Sequence, residues 1–158
     1  MSIKEIRHFG DPVLVTPASE VIDFDKELRK LVKDLTETML DAPGAGLAAP
    51  QIGVPLRVFV WDVDEAIGHL INPTLDLSEE MQEGDEGCLS FPGVMLKISR
   101  PKTVEVGWQD MQQNAYTADF TDIDAKCFLH ELDHLDGRVF KDYVSELKFQ
   151  RAVSKAKK

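Results

Sequence analysis

Apolar residues along this chain recur with two different periods. Over positions 25 to 41, Leu28, Leu31, Val32, Leu35 and Met39 fall three or four apart with charges between them, the spacing of a surface helix with one buried face. Asp25 is placed to cap its start, and Pro43 with Gly44 stops it. Short apolar runs predict strands at Arg57 to Val63, His69 to Ile71, Val94 to Ile98, Thr103 to Trp108 and Ala115 to Phe120. Val104, Val106 and Trp108 alternate with Glu105 and Gly107, as in a strand buried on one side, and Asp110 to Asn114 makes the turn after it. A second helix is expected from near Thr121, where Thr121 and Asp124 have the spacing of a capping box, to a stop at Gly137. Its middle, Cys127, Phe128, Leu129 and Leu132, leaves no clean polar face, which predicts a central, buried helix. A shorter amphipathic helix follows from about Val144. Strands and helices without regular alternation define an α+β class, and the absence of linkers or repeats makes residues 1–158 a single domain.

Composition narrows the function classes. No run of about 18 apolar residues is present, so no membrane span is expected, and Met1 to Arg7 lacks the apolar core of a signal peptide. Two cysteines, Cys88 and Cys127, are too few for a disulfide framework and point to metal or core roles in a cytoplasmic protein. The net charge of −10 argues against a nucleic-acid binder, sequence-specific or general, because phosphate contacts need clustered Lys and Arg. That charge is uneven. Residues 148–158 carry Lys148, Arg151, Lys155, Lys157 and Lys158 and no acid, leaving 13 basic against 28 acidic side chains in the first 147 positions. This basic tail reads as a solvated, frayed terminus, or as a contact for an anionic partner.

The strongest chemical signal is His130-Glu131-Leu132-Asp133-His134. On a helix the two histidines lie about 6 Å apart on one face, within reach of a single ion, and Glu131 between them is placed to take a proton from water on that ion. The competing reading, two polar residues on a helix surface, is weak because apolar neighbours surround the pair and buried imidazoles need partners. A catalytic ion ordinarily has a third protein ligand. Downstream, Phe140 stands where one protease pattern has its third histidine, and Asp142 and Glu146 come too soon for the long-spaced Glu variant. The ligand must therefore lie upstream. Cys127 sits about 7.5 Å along the helix axis from the midpoint of the histidines, too far for a thiolate, and reads as a small core residue. Cys88, in the turn Glu86-Gly87-Cys88-Leu89-Ser90, is the remaining choice. Glu86 and Arg100 are a candidate ion pair holding that turn, while His8 and His69 read as surface or loop residues.

Three stretches in order, GAGLAAPQ (Gly44 to Gln51), EGCLS (Glu86 to Ser90) and HELDH (His130 to His134), resemble the motifs of the peptide deformylases, and the opening GDPVL (Gly10 to Leu14) is similar as well. The resemblance implies antiparallel strands packed around a central metal-binding helix, and removal of the formyl group from N-formylmethionine of nascent polypeptides. It implies one divalent ion held by Cys88, His130 and His134, natively Fe2+, with Zn2+, Ni2+ or Co2+ able to take its place. In that scheme metal-bound water attacks the formyl carbon with Glu131 as general acid and base. The Gln51 side-chain amide and the Leu89 backbone N–H polarise the formyl carbonyl. Gly44, Ala45 and Gly46 are expected to line the substrate channel, where a peptide can pair with a strand edge. The chain departs from the family at Leu129, where Gln is usual. Two rivals remain from the residues alone: an endopeptidase on the same helix motif, and a catalytically silent ribosome-bound protein with a structural metal.

Overall fold

The structure, a computed structural model, describes residues 3–63 and 66–156. Helix α1 (Lys26–Asp41) begins where the Asp25 carboxylate accepts the Leu28 N–H, and it buries Leu28, Leu31, Val32, Leu35 and Met39, the stripe its spacing predicts. Five antiparallel strands form a sheet in the order β1-β2-β3-β6-β7: β1 (Gly46–Ala48), β2 (Val58–Val63), β3 (Ala66–Leu77), β6 (Thr103–Gln109) and β7 (Ala115–Thr121). A separate hairpin pairs β4 (Met81–Cys88) with β5 (Phe91–Pro101). Two further helices, α2 (Asp122–Leu135) and α3 (Glu146–Ala156), complete the fold.

Strand β2 explains the layering. Its side chains alternate across the pleat. Val58 and Val60 pack with Leu28, Leu31 and Leu35 of α1, whereas Phe59 and Trp61 pack with Phe128 and its neighbours on α2. The two helices thus cover opposite faces of one sheet. A third apolar cluster joins the β4–β5 hairpin to α3 through Leu14, Phe91, Leu96, Ile98, Val139 and Phe149. Helix α2 is central, as its apolar circumference predicts, lying between the large sheet and the hairpin.

Several sequence-based expectations change in detail. The predicted run at His69 to Ile71 is part of a twelve-residue strand, and β4, rich in Glu and Gly, is a strand that no apolar alternation announces. His69 is a half-buried member of β3 opposite Val60, not a loop residue, and burial lowers its pKa. The Thr121–Asp124 capping box does not form. Thr121 is still paired with Thr103 in the sheet, its side chain makes no cap, and the chain turns into the helix through Asp122 at φ 53°. The C-terminal stop at Gly137 is real: Gly137 N donates to His134 O and Arg138 N to Asp133 O, the two bonds of a Schellman closure. Nor is the tail frayed. Residues 146–156 are helical, and Phe149 packs edge-on against Phe9 and Phe91; Lys157 and Lys158 lie outside the described residues.

Gly137 has φ +74°, and a Cβ there would sit 2.9 Å from Val15 O and from the Thr16–Pro17 peptide. Gly137→Ala is therefore expected to destabilise the protein by about 2 kcal/mol or more, from left-handed strain plus a backbone clash. Urea denaturation at neutral pH measures it, and a loss below about 0.5 kcal/mol would show that the loop yields freely.

Candidate metal centre and active site

Helix α2 presents His130 and His134 one turn apart, with Nε2 atoms 3.3 Å from each other. The β4–β5 hairpin supplies the third group. Its register slips between Gly87 and Cys88, so that Cys88 pairs with Phe91 at the hairpin end and its Sγ lies 3.3 Å from His134 Nε2. One ligand atom from each of Cys88, His130 and His134 falls within 4.8 Å of the others. The spacing suits a single ion: bonds of about 2.0–2.1 Å to nitrogen and 2.3 Å to sulfur at tetrahedral angles separate ligand atoms by roughly 3.3–3.6 Å. His134 is 1% exposed, and its Nδ1 and Glu131 Oε2 are buried without a hydrogen-bond partner among the described residues.

Glu131 lies in the same turn, 3% exposed, with Oε1 3.9 Å from His130 Nε2. Burial raises its pKa to about 7, even with His130 and Arg100 nearby to lower it. The two imidazoles diverge. Burial holds His134 well below its usual value, while at His130 the hydrogen bonds of Cys88 and Glu86 outweigh burial and raise the pKa to about 10.

The support behind this turn is ionic and buried. Glu86 accepts two bonds from Arg100, at 2.6 and 2.9 Å, and its Oε1 lies 3.1 Å from His130 Nδ1. Arg100 also donates to Asp133 at 2.7 Å, and the Tyr143 hydroxyl donates to the same Asp133 oxygen while its ring lies under the guanidinium. The Glu86–Arg100 pair was legible as a candidate; Asp133 and Tyr143 were not, because a single acid inside the helix motif and a distant tyrosine carry no spacing signal.

The third motif arrives on β1 and the turn after it. Gln51 is 1% exposed: its Oε1 accepts the Ala48 N–H at 2.9 Å, and its Nε2 donates to Ser90 Oγ at 3.1 Å and faces Cys88 Sγ at 3.7 Å. Ser90, fully buried, is a site residue with no role assigned from sequence; it stood inside the quoted Cys88 motif. Gly44, Ala45, Gly46, Leu89, Glu131, His130 and Cys88 line one cleft of about 630 Å³. Cys127 lines it too. It is half-buried rather than a core residue, and its thiol donates to Ala45 O at 3.7 Å, with burial and then Glu131 raising its pKa to about 12. As geometry requires, it stays out of the ligand cluster. His8, exposed, stands at the cleft rim.

An α+β domain whose central helix gathers a Cys/His/His cluster in an apolar cleft is the class these observations define. The family model for polypeptide deformylase matches residues 3–150. A peptide deformylase of Acidothermus cellulolyticus is 59% identical over 90% of this chain and 79% of its own length, and one from Parafrankia is 49% identical over 99% and 86%. Among solved structures, the peptide deformylase of Synechococcus elongatus in complex with actinonin superposes with a TM-score of 0.93 at 36% identity, covering 99% of this chain and 87% of that one. That of Thermotoga maritima gives 0.88 at 39% identity, over 90% and 98%. The chain belongs to the peptide deformylase family.

Burial works to raise the pKa of Glu86, but the bonds from His130 and Arg100 prevail and bring it down from 4.5 to about 2. A depressed carboxylate contributes stability above its unfolded pKa and loses it as pH falls toward the folded one. In chelator-treated protein, stability is expected to drop by about 3 kcal/mol between pH 5 and pH 2 on this account, at 1.36 kcal/mol per unit. Glu86→Gln should be weaker at pH 6 yet fall less steeply; parallel urea-derived stability curves for the two proteins would refute the assignment.

Proposed function

We propose that this protein removes the formyl group from N-formylmethionyl ends of nascent polypeptides, with Cys88, His130 and His134 as metal ligands and Glu131 as general acid and base. The observation that carries this reading is the convergence of one thiol and two imidazole nitrogens within 4.8 Å, beside a buried carboxylate, in a cleft of a deformylase-family chain. The donor set fits one divalent ion with a position left for a small ligand. When bound there, such an ion supplies Lewis acidity and a water that ionises near neutral pH.

The chain's own residues supply the rest. Glu131, whose pKa of about 7 suits transfer in either direction, takes the proton of the attacking water and returns it to the departing amine. Gln51 is locked through Oε1 on Ala48 N, which fixes Nε2 so that it donates to Ser90 Oγ and, over a long 3.7 Å, to Cys88 Sγ; the hydrogen on the weaker Cys88 side is the one proposed to turn to the reacting oxygen. The Leu89 N–H is the second donor to that oxygen. Such prearranged donors are worth about 3 kcal/mol each. Gly44, Ala45 and Gly46 form the cleft wall, and β1, at the end of the sheet order, offers its outer edge to an extended peptide. Ferrous iron is the ion proposed for the native enzyme, with zinc, nickel or cobalt suited to the same ligands. The substrate places the enzyme in the cytoplasm; among the described residues no helix is long and apolar enough to cross a membrane.

Glu131→Gln should retain one equivalent of metal while turnover of a formyl-Met-Ala peptide falls at least about a hundredfold, the lower range of general-base effects. Metal content by elemental analysis and single-turnover rates decide it. An unchanged rate would remove Glu131 from the chemistry, and cleavage of an internal peptide bond in preference to the formyl group would favour the endopeptidase reading.

A second reading concerns location. Lys148, Arg151 and Lys155 stand exposed on α3 at helical spacing, while Phe149, Ala152 and Val153 face the hairpin. This basic face is proposed to contact the ribosome. Deleting it would also remove the buried Phe149, so reversal of the three charges to Glu is the cleaner experiment. Cosedimentation with ribosomes should be lost while turnover of the free peptide stays unchanged. Undiminished cosedimentation would exclude this surface.

A further inference from the structure

Across the five-stranded sheet from α2, a second cavity of about 510 Å³ opens between the start of α1, the 20–25 segment and the 52–56 loop, and no residue lining it also lines the catalytic cleft. Its wall is apolar, with Val21, Leu31, Val54 and Leu56, and Ile22, 86% exposed, stands on its rim. Glu20, Asp23, Asp25, Glu27 and Asp34 also line it, against Lys4 and Lys30. Solvated carboxylates on a rim indicate nothing by themselves.

Asp34 is different. It lies on the buried side of α1, 7% exposed, and the part left open faces this cavity. Among the described residues it has no hydrogen bond and no ion pair, with Lys4 and Lys30 included. Thr38, one turn further along the same face, is by contrast engaged by Lys4 N at 2.8 Å. The Asp34 carboxylate oxygens are not among the buried unpartnered atoms, so they open to solvent through the cavity and are free to accept from a donor placed there. A bare metal ion is a poor match, since among the described residues only the Cys88 cluster brings three ligating groups within reach of one ion.

We propose that this cavity docks a basic polypeptide segment of another protein, one Lys or Arg side chain lying along the Val21–Leu31–Val54 wall with its cation on the Asp34 carboxylate. A long basic side chain is the group that combines an apolar stem with a charged end, and it satisfies wall and carboxylate together. Ile22 offers a contact to an apolar neighbour in the same segment. The 28 acidic against 13 basic residues in the first 147 positions draw such a segment to this body from a distance.

The probe is a fluorescein-labelled acetyl-Leu-Arg-Leu-Lys-Leu-Arg-amide, titrated by anisotropy against the metal-loaded protein in about 0.1 M salt, where remote charges are screened. Asp34→Asn should raise Kd about tenfold, the factor that 1.4 kcal/mol represents. Glu105→Gln, which removes an exposed charge on β6, should change it less than twofold, and both variants should deformylate formyl-Met-Ala as the parent does. In the unmodified protein, amide shifts on adding peptide should concentrate at Val21, Leu31 and Val54, a measurement independent of any folding defect in the variant. No binding, equal weakening by both substitutions, shifts centred elsewhere, or displacement of the peptide by equimolar spermine would each overturn the proposal; the last two would mean another surface, or a polycation held by net charge alone.

Discussion

The site depends on a buried cation. Arg100, 2% exposed, sits between the Glu86 and Asp133 carboxylates and joins the β4–β5 hairpin to helix α2. Withdrawing these charges from water costs several kcal/mol per ion, recovered only with close geometry and further hydrogen bonds. Both conditions are met: the Glu86 contact is bidentate, and Asp133 and Tyr143 complete the guanidinium's surroundings. The consequence reaches the chemistry directly. Glu86 spends its Oε1 on His130 Nδ1 as well, so the ion pair that sets the hairpin against the helix also orients the ring of one proposed metal ligand. Hairpin position and imidazole orientation are one variable. Tyr143 joins this network through its hydrogen bond to Asp133 and its ring against Arg100.

Much of this was legible in the chain because the decisive signals are local. Two histidines one turn apart define a shared face whatever the fold, and all the apolar residues of the α1 stripe were recovered, though not Asp34 and Thr38 buried beside them. Cys88 followed by elimination, since α2 itself places Cys127 out of reach. What escaped was non-local. Strand β4 has the sequence MQEGDEGC, polar because one face is exposed and the other carries the buried Glu86, so hydrophobic alternation could not reveal it. Thr121 had the identity and spacing of a cap, but the sheet claimed its backbone first. Cys127 read as core because it lies too far along the helix to join the histidines, yet its own direction on the helix turns it to the cleft. Leu129, where the family usually has Gln, is 6% exposed among Phe59, Leu70 and Leu132; here an apolar side chain continues the helix–sheet core.

The small residues of the Gly44–Gln51 stretch have a different purpose from the one their composition suggests. Gly44, Ala45 and Gly46 read from sequence as channel lining, and they do line the cleft, but the tighter constraint is space for side chains from the other two motifs. A Cβ on Gly44 would lie 2.8 Å from Leu89 Cδ1, and one on Gly46 would lie 3.0 Å from Glu131 Cγ. The first glycine thus receives the residue after Cys88, and the second receives the stem of Glu131, between the two clustered histidines. Gln51 then closes the circuit through Ser90 and Cys88. Each motif is shaped by contact with the other two, so their joint occurrence is a packing requirement before it is a catalytic one. Gly46→Ala would press on Glu131 itself, the group whose burial raises its pKa, and so would act on the proposed proton carrier without touching any of the three proposed metal ligands.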